Sequence, residues 1–215
     1  MNWFPVPLGG LQTNCYVLYS EDRKCIIFDP GEEANKLINI LSGKKLEPAA
    51  IMLTHAHFDH IGAVDPIRDR YRIPVYLHER EAKWLGDPAL NGSGLFPVGP
   101  PVRVRHAEHL IKNEGRMELD GFEFDIFETP GHSPGSVSYY FSENGLVVSG
   151  DALFMGSIGR TDLPGGNEKE LMKSIHSKLL SLPEDTIVLP GHGPVTTIED
   201  EMDSNPFLHG FGSKP

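Results

Sequence analysis

Thr54-His55-Ala56-His57-Phe58-Asp59-His60 follows directly on the apolar run Ala49-Ala50-Ile51-Met52-Leu53. Three imidazoles and one carboxylate fall within six residues. Neutral imidazole and carboxylate are the ligands that zinc, iron and related divalent ions take up. A His-x-His pair at the end of a strand puts both rings on one side of the turn. Asp59 and His60, where the next helix begins, then point at a neighbouring position. The stretch predicts the seed of a site for two metals. A solvated polar loop is the bland alternative, and it leaves the partners further along the chain unexplained.

Upstream, residues 11–19 and 24–28 alternate as an opening hairpin turning near Glu21-Asp22. Asp29-Pro30-Gly31 is turn chemistry. A short helix carries Ala34, Leu37, Ile38 and Leu41 on one face and stops at Gly43. Downstream, Ile61, Val64, Ile67 and Tyr71 recur at helical spacing. Ile73 to Leu77 is a strand and residues 79–86 a short helix, so some strands pair in parallel. Residues 87–101, rich in Pro and Gly, predict a long surface loop and a candidate pocket wall. Met117 to Phe127 and Val137 to Val148 predict two hairpins around Asp120-Gly121 and Asn144-Gly145. Residues 168–182 form an amphipathic helix, and Thr186 to Leu189 a last strand. Neither a repeat nor a linker divides the chain, so one domain over residues 1–215 is expected.

Three later stretches repeat one device, in which a strand ends and a ligand-type residue sits among small turn residues. They are Thr129-Pro130-Gly131-His132-Ser133-Pro134-Gly135, Ser149-Gly150-Asp151-Ala152 and Pro190-Gly191-His192-Gly193-Pro194. A single Gly-His is most often a turn histidine. Three such turns after a His-x-His-x-Asp-His cluster point to one metal site. His78, His106, His109, His176 and His209 belong to no ligand pattern.

Composition narrows the function. Lys and Arg number 19 against 30 Asp and Glu, a formal charge of −11. Nucleic-acid binders usually carry a basic stripe, so this balance argues against nucleic acid as a partner. The two cysteines cannot form a disulfide framework, and a hairpin turn near Glu21-Asp22 keeps Cys15 and Cys25 from facing each other; buried free thiols in a reducing compartment are expected. The first residues carry no leader pattern and no apolar run reaches membrane length. A cytoplasmic protein without a membrane partner is the expectation, as a monomer or small homo-oligomer.

Asp29, His55-x-His57-x-Asp59-His60, His132, Asp151 and His192, in that order, resemble the five motifs of the metallo-β-lactamase fold superfamily. The resemblance implies a mixed α/β (α+β) fold, a four-layer αββα sandwich with metals at one edge. It implies two divalent ions as cofactors, zinc first, with iron or manganese as alternatives. One ion falls to His55, His57 and His132, the other to Asp59, His60 and His192, with Asp151 bridging and Asp29 supporting from behind. A metal-bridging hydroxide would attack an acyl carbon while a metal stabilises the oxyanion. Asp59 is the catalytic candidate, orienting that hydroxide and moving its proton.

Asp151 stands where antibiotic-hydrolysing relatives carry Cys or Ser, which argues against β-lactam hydrolysis. Gly159 to Gly166, Gly191-His192-Gly193-Pro194 and Asn205-Pro206-Phe207-Leu208 resemble the glyoxalase II group. That implies hydrolysis of a small-molecule thioester similar to S-D-lactoylglutathione. Glyoxalase II enzymes add a C-terminal helical domain, whereas 23 residues follow His192. Gly159-Arg160-Thr161-Asp162 is also similar to persulfide dioxygenases, which keep one iron on the equivalents of His55, His132 and Asp151. Pro190-Gly191-His192-Gly193-Pro194 departs from their pattern, so the hydrolase is the preferred reading. A metal-stabilised binding protein without turnover is a third reading. Arg160 has two readings, a bidentate clamp on a substrate carboxylate and an internal ion pair with Asp162; the second is at least as good, so Arg160 is left out of the site.

Overall fold

The computed structural model describes residues 1–96 and 99–209. Pro97 and Val98, inside the expected loop 87–101, lie outside the described residues. The chain divides into two compact units: Met1–Lys112 with Glu118–Phe122, and Asn113–Met117 with Glu123–Pro215.

The first unit is built on a six-stranded sheet in sequence order: β1 (Asn2–Leu8), β2 (Thr13–Tyr19), β3 (Lys24–Phe28), β4 (Glu47–Met52), β5 (Val75–His78) and β6 (His109–Ile111). β1, β2 and β3 are antiparallel; β3 to β6 run parallel. Parallel neighbours need crossovers. α1 (Ala34–Lys44) supplies the first, and α2 (Phe58–Ile61) with α3 (Val64–Tyr71) the second. The core packs Val17, Cys25, Ile27, Ile51 and Val75 of the sheet with Leu37, Leu41, Val64 and Ile67 of the helices. The opening hairpin is present as β2 and β3, with Tyr16 opposite Phe28. Cys15 and Cys25 are buried and free of any disulfide. Burial pushes the Cys25 thiol up to about 12, which makes it a weak nucleophile.

Several local expectations change. β1 is an element beyond those expected, and it carries Pro5 and Pro7. They fit because β1 is an edge strand and both prolines share one parity, so one side of the strand can go without donors. Gly43 lies within α1, which ends instead at Lys45 in the left-handed region. Residues 79–86 form two 3₁₀ turns, Glu79–Glu81 and Trp84–Gly86, in place of one helix. The loop after residue 87 is not wholly at the surface. Asn91 and Ser93 are buried, and the Asn91 amide donates to the carbonyls of Trp84 and Val102.

The second unit holds the sheet order β14-β13-β10-β9-β8-β7. Its strands are β7 (Gly115–Leu119), β8 (Phe122–Glu128), β9 (Val137–Phe141), β10 (Leu146–Gly150), β13 (Ile187–Pro190) and β14 (Thr196–Thr197), with a small ribbon of β11 (Leu153–Phe154) and β12 (Ser157–Ile158). β10 and β13 are parallel neighbours. α4 (Glu168–Ser174) starts at Asn167, whose side chain accepts the Glu170 N–H. The amphipathic stretch then continues as a π turn, Ile175–Leu179, which keeps Leu171, Ile175 and Leu179 against Val147 and Val188. α5 (Ile198–Ser204) is a further element, capped by the Thr197 hydroxyl on the Asp200 N–H.

Candidate metal centre

In the first unit, β4 ends at Met52 and α2 begins at Phe58, and the ligand residues occupy that turn. His55 and His60 are fully buried and His57 nearly so. The His55 ring lies 4.8 Å from His57 and 4.1 Å from His60, centroid to centroid. Asp59, in the first turn of α2, accepts the Thr13 hydroxyl at Oδ2, 2.9 Å. The His60 Nε2 stands 3.5 Å from that same oxygen.

Asp29 organises this half. Its carboxylate accepts the Thr54 N–H at 2.8 Å and the Thr54 hydroxyl at 2.6 Å. Nδ1 of His60 lies 3.0 Å from Oδ2 of Asp29. A buried carboxylate is an acceptor, so Nδ1 of His60 carries the hydrogen and Nε2 keeps its lone pair. Thr54 spends its hydrogen on Asp29, and its oxygen therefore accepts from Nδ1 of His55 at 3.0 Å. His55 also presents Nε2. Asp29, His55 and His60 offer donor atoms within 4.8 Å of one another. With these three hydrogen bonds, Asp29 fixes Thr54 and His60 from behind the candidate ligands.

Backbone packing holds the turn. A Cβ on Gly31 would overlap the Asp59 carbonyl, so only glycine lets the Asp29 loop lie against α2. The Ala63 N–H donates to the Pro30 carbonyl at 2.9 Å. On the other side, the Ala56 N–H donates to Oε2 of Glu81 at 2.6 Å. Glu81 is fully buried. The His57 ring tilts over Trp84, 5.6 Å between centroids.

In the second unit, parallel pairing does the positioning. Gly150 of β10 is opposite Pro190 of β13, and the Gly191 N–H donates to the Gly150 carbonyl at 2.8 Å. Asp151, one residue beyond the end of β10, and His192, two beyond the end of β13, therefore emerge side by side. His132 sits in the turn between β8 and β9. There Gly131 is at φ 132°, and a Cβ on it would overlap the backbone of Leu171. Nδ1 of His132 lies 2.8 Å from the Arg160 carbonyl, which can only accept. Nε2 of His132 again carries the lone pair. It is 3.5 Å from Oδ2 of Asp151, and Nε2 of His192 is 3.6 Å from that same oxygen.

These separations carry chemical meaning. Donors about 2.1 Å from a common tetrahedral ion stand about 3.4 Å apart. His60–Asp59, His132–Asp151 and His192–Asp151 all fall near that value. Nitrogen lone pairs and carboxylate oxygens meet at ligand spacing within each half, so the residues present fit a divalent cation.

Thr13, Thr54 and Glu81 go unnoticed in the sequence reading. Thr13 lies in an ordinary strand, and Glu81 resembles a surface acid on a short helix. The side chain of Arg160 pairs with Asp162 through two 2.7 Å contacts. That guanidinium holds the Asp162 carboxyl down to about 2. His78 accepts the Arg80 N–H at Nδ1 and caps a 3₁₀ turn. His106 and His109 are exposed, and His109 stacks on Tyr76.

Residues 8–192 match the model of the metallo-β-lactamase superfamily, and the chain belongs to that family. It is 54% identical to the probable metallo-hydrolase YqgX of Bacillus subtilis, over 98% of this chain and 99% of that one. It is 35% identical to the hydroxyacylglutathione hydrolase GloC of Haemophilus influenzae, over 97% and 99%. Among solved structures, the BLEG-1 B3 metallo-β-lactamase superposes with a TM-score of 0.95 at 56% identity, covering 97% of this chain and 100% of that one. TTHA1623, solved in a di-iron-bound form, gives 0.82 at 44%, covering 95% and 100%. ETHE1 from Myxococcus xanthus gives 0.77 at 27%, covering 97% and 89%. The fold is the mixed α/β metallo-β-lactamase type expected from the motifs. No helix among the described residues is long and apolar enough to cross a membrane.

Proposed function

We propose that the protein is a dinuclear metal-dependent hydrolase that cleaves a thioester. In this reading the two half-sets act together. His55, His57 and His132 would hold one cation and Asp59, His60 and His192 the second, with Asp151 available to both. The observation that carries the reading is the trio of donor separations near 3.5 Å at Nε2 of His60, His132 and His192, with Nδ1 of His60 and of His132 already held by an acceptor. Zinc suits this donor set, and iron is the alternative.

Two bound cations supply a hydroxide near neutral pH and polarise the acyl carbonyl. The chain's residues do the remaining work. Thr13 fixes one oxygen of Asp59, which leaves the carboxylate able to orient the nucleophile and take its proton. Asp29 keeps His60 and, through Thr54, His55 in the ligating tautomer. Thioester chemistry is supported by the match to GloC across 99% of that relative's length.

Metal content and turnover test the proposal together. Zinc- and iron-loaded protein is offered S-D-lactoylglutathione, an uncharged thioester, a persulfide and a chromogenic cephalosporin. The expected result is two metal ions per chain and thiol release that collapses in chelator and returns with zinc. One iron per chain with oxygen uptake on the persulfide would replace the hydrolase by a dioxygenase. The similarity to BLEG-1 makes the cephalosporin the other decisive arm, and ring opening there without thiol release would overturn the thioester reading.

A further inference from the structure

We propose that the cavity beside Asp59 receives an uncharged, apolar arm of the substrate and disfavours a carrier that places a carboxylate there. This rests on the thioester reading and narrows its substrate class. The cavity, about 570 Å³, lies within the first unit, and Asp59 forms part of its wall. Leu8, Leu11, Phe58, Pro100 and Val102 give it an apolar lining. Its charged wall residues among those described are Asp59 and Glu32, both acidic. Neither Lys, Arg nor His contributes to the described lining.

The rim is built rather than incidental. The turn from β1 to β2 folds back so that the Gly10 N–H donates to Oε2 of Glu32 at 3.2 Å and the Gly9 N–H to Oε2 of Glu33 at 2.9 Å. The nearby cation Lys36 is 3.3 Å from Glu33. The same turn presents Leu11, 50% exposed, at the cavity wall. A Leu held half in water gains nothing from the core, but it covers apolar surface of a ligand. Asp59 faces the metal position in the proposed site, so Glu32 is the anion left to meet the ligand. A ligand carboxylate entering here meets the Glu32 carboxylate and no cationic side chain among the described lining. A hydrocarbon arm gains about two- to fourfold in affinity for each methylene buried.

Non-hydrolysable thioethers separate this inference from the catalytic proposal, because they report binding alone. Calorimetry compares S-hexyl-N-acetylcysteamine, which is neutral, with S-hexylglutathione, which carries two carboxylates, on the metal-loaded protein. The neutral compound should bind more tightly, and its affinity should climb from butyl to octyl. Glu32→Gln keeps a hydrogen-bond acceptor for Gly10 and should narrow the ratio between the two compounds about three- to fivefold. Raising the salt to about 0.5 M should narrow it in the unsubstituted protein as well. Tighter binding of S-hexylglutathione, a ratio indifferent to both changes, or no binding of either compound would overturn the inference. This binding pattern without thioester turnover would sink the hydrolase reading and leave the cavity's preference standing. Turnover with the reverse pattern would do the opposite.

Discussion

Asp29 shows how much one side chain can carry. It is buried, and its two oxygens receive a backbone N–H, a hydroxyl and an imidazole N–H. Asp29→Ala strands those donors away from water, at about 2–4 kcal/mol of stability. It also releases the tautomers of His55 and His60, so metal affinity should fall about 10- to 100-fold. Denaturant titration and a competition with a chromophoric chelator read the two effects separately; a stable variant with unchanged affinity would refute the orienting role. Asp59→Ala differs in kind. Asp59 is a partly exposed residue that accepts the Thr13 hydroxyl. Activity should drop by orders of magnitude while the folding free energy moves by about 1 kcal/mol. Equal losses of both would count against its catalytic role.

At the scale of elements, strand ends and crossovers place the ligands. The β4-to-α2 turn is pressed from one side by the Asp29 loop and from the other by Glu81. Gly31→Ala adds one methyl group where the Asp59 carbonyl already stands. The loop must move, at about 1–3 kcal/mol, and the movement is delivered straight to Asp29 and Asp59. A lower melting temperature together with weakened metal binding is expected; calorimetry with and without metal would detect it, and wild-type values in both would show the approach is slack. In the second unit, parallel pairing of β10 and β13 sets Asp151 beside His192. That pairing was legible only as two apolar strands of unknown partner. Short apolar runs carry no record of which neighbour they choose.

For the whole molecule, the coupling of metal to stability is the principal expectation. The proposed ligands bind cations in the folded chain and lose their arrangement on unfolding, so metal at about 1,000 times its dissociation constant adds about 4 kcal/mol. Chelation should lower the melting temperature, and readdition of zinc should restore it. A melting temperature blind to chelator would contradict the two-metal proposal. The net charge of −11 points the same way, since bound cations offset local repulsion among carboxylates.

The sequence by itself determined the identity and order of the candidate ligand residues, the turns that carry them and the family to which the chain belongs. Those features are local: a His-x-His at a strand end or a Gly-His turn is written in consecutive residues. The tertiary structure alone decided which ring nitrogen each of three histidines presents, and that Thr13, Thr54 and Glu81 hold the site. Thr54 and Asp29 are 25 positions apart, Ala56 and Glu81 likewise, and Thr13 and Asp59 are 46 apart. Hydrogen bonds of that reach arise from the packing of whole strands and helices, and no pattern of neighbouring residues encodes them.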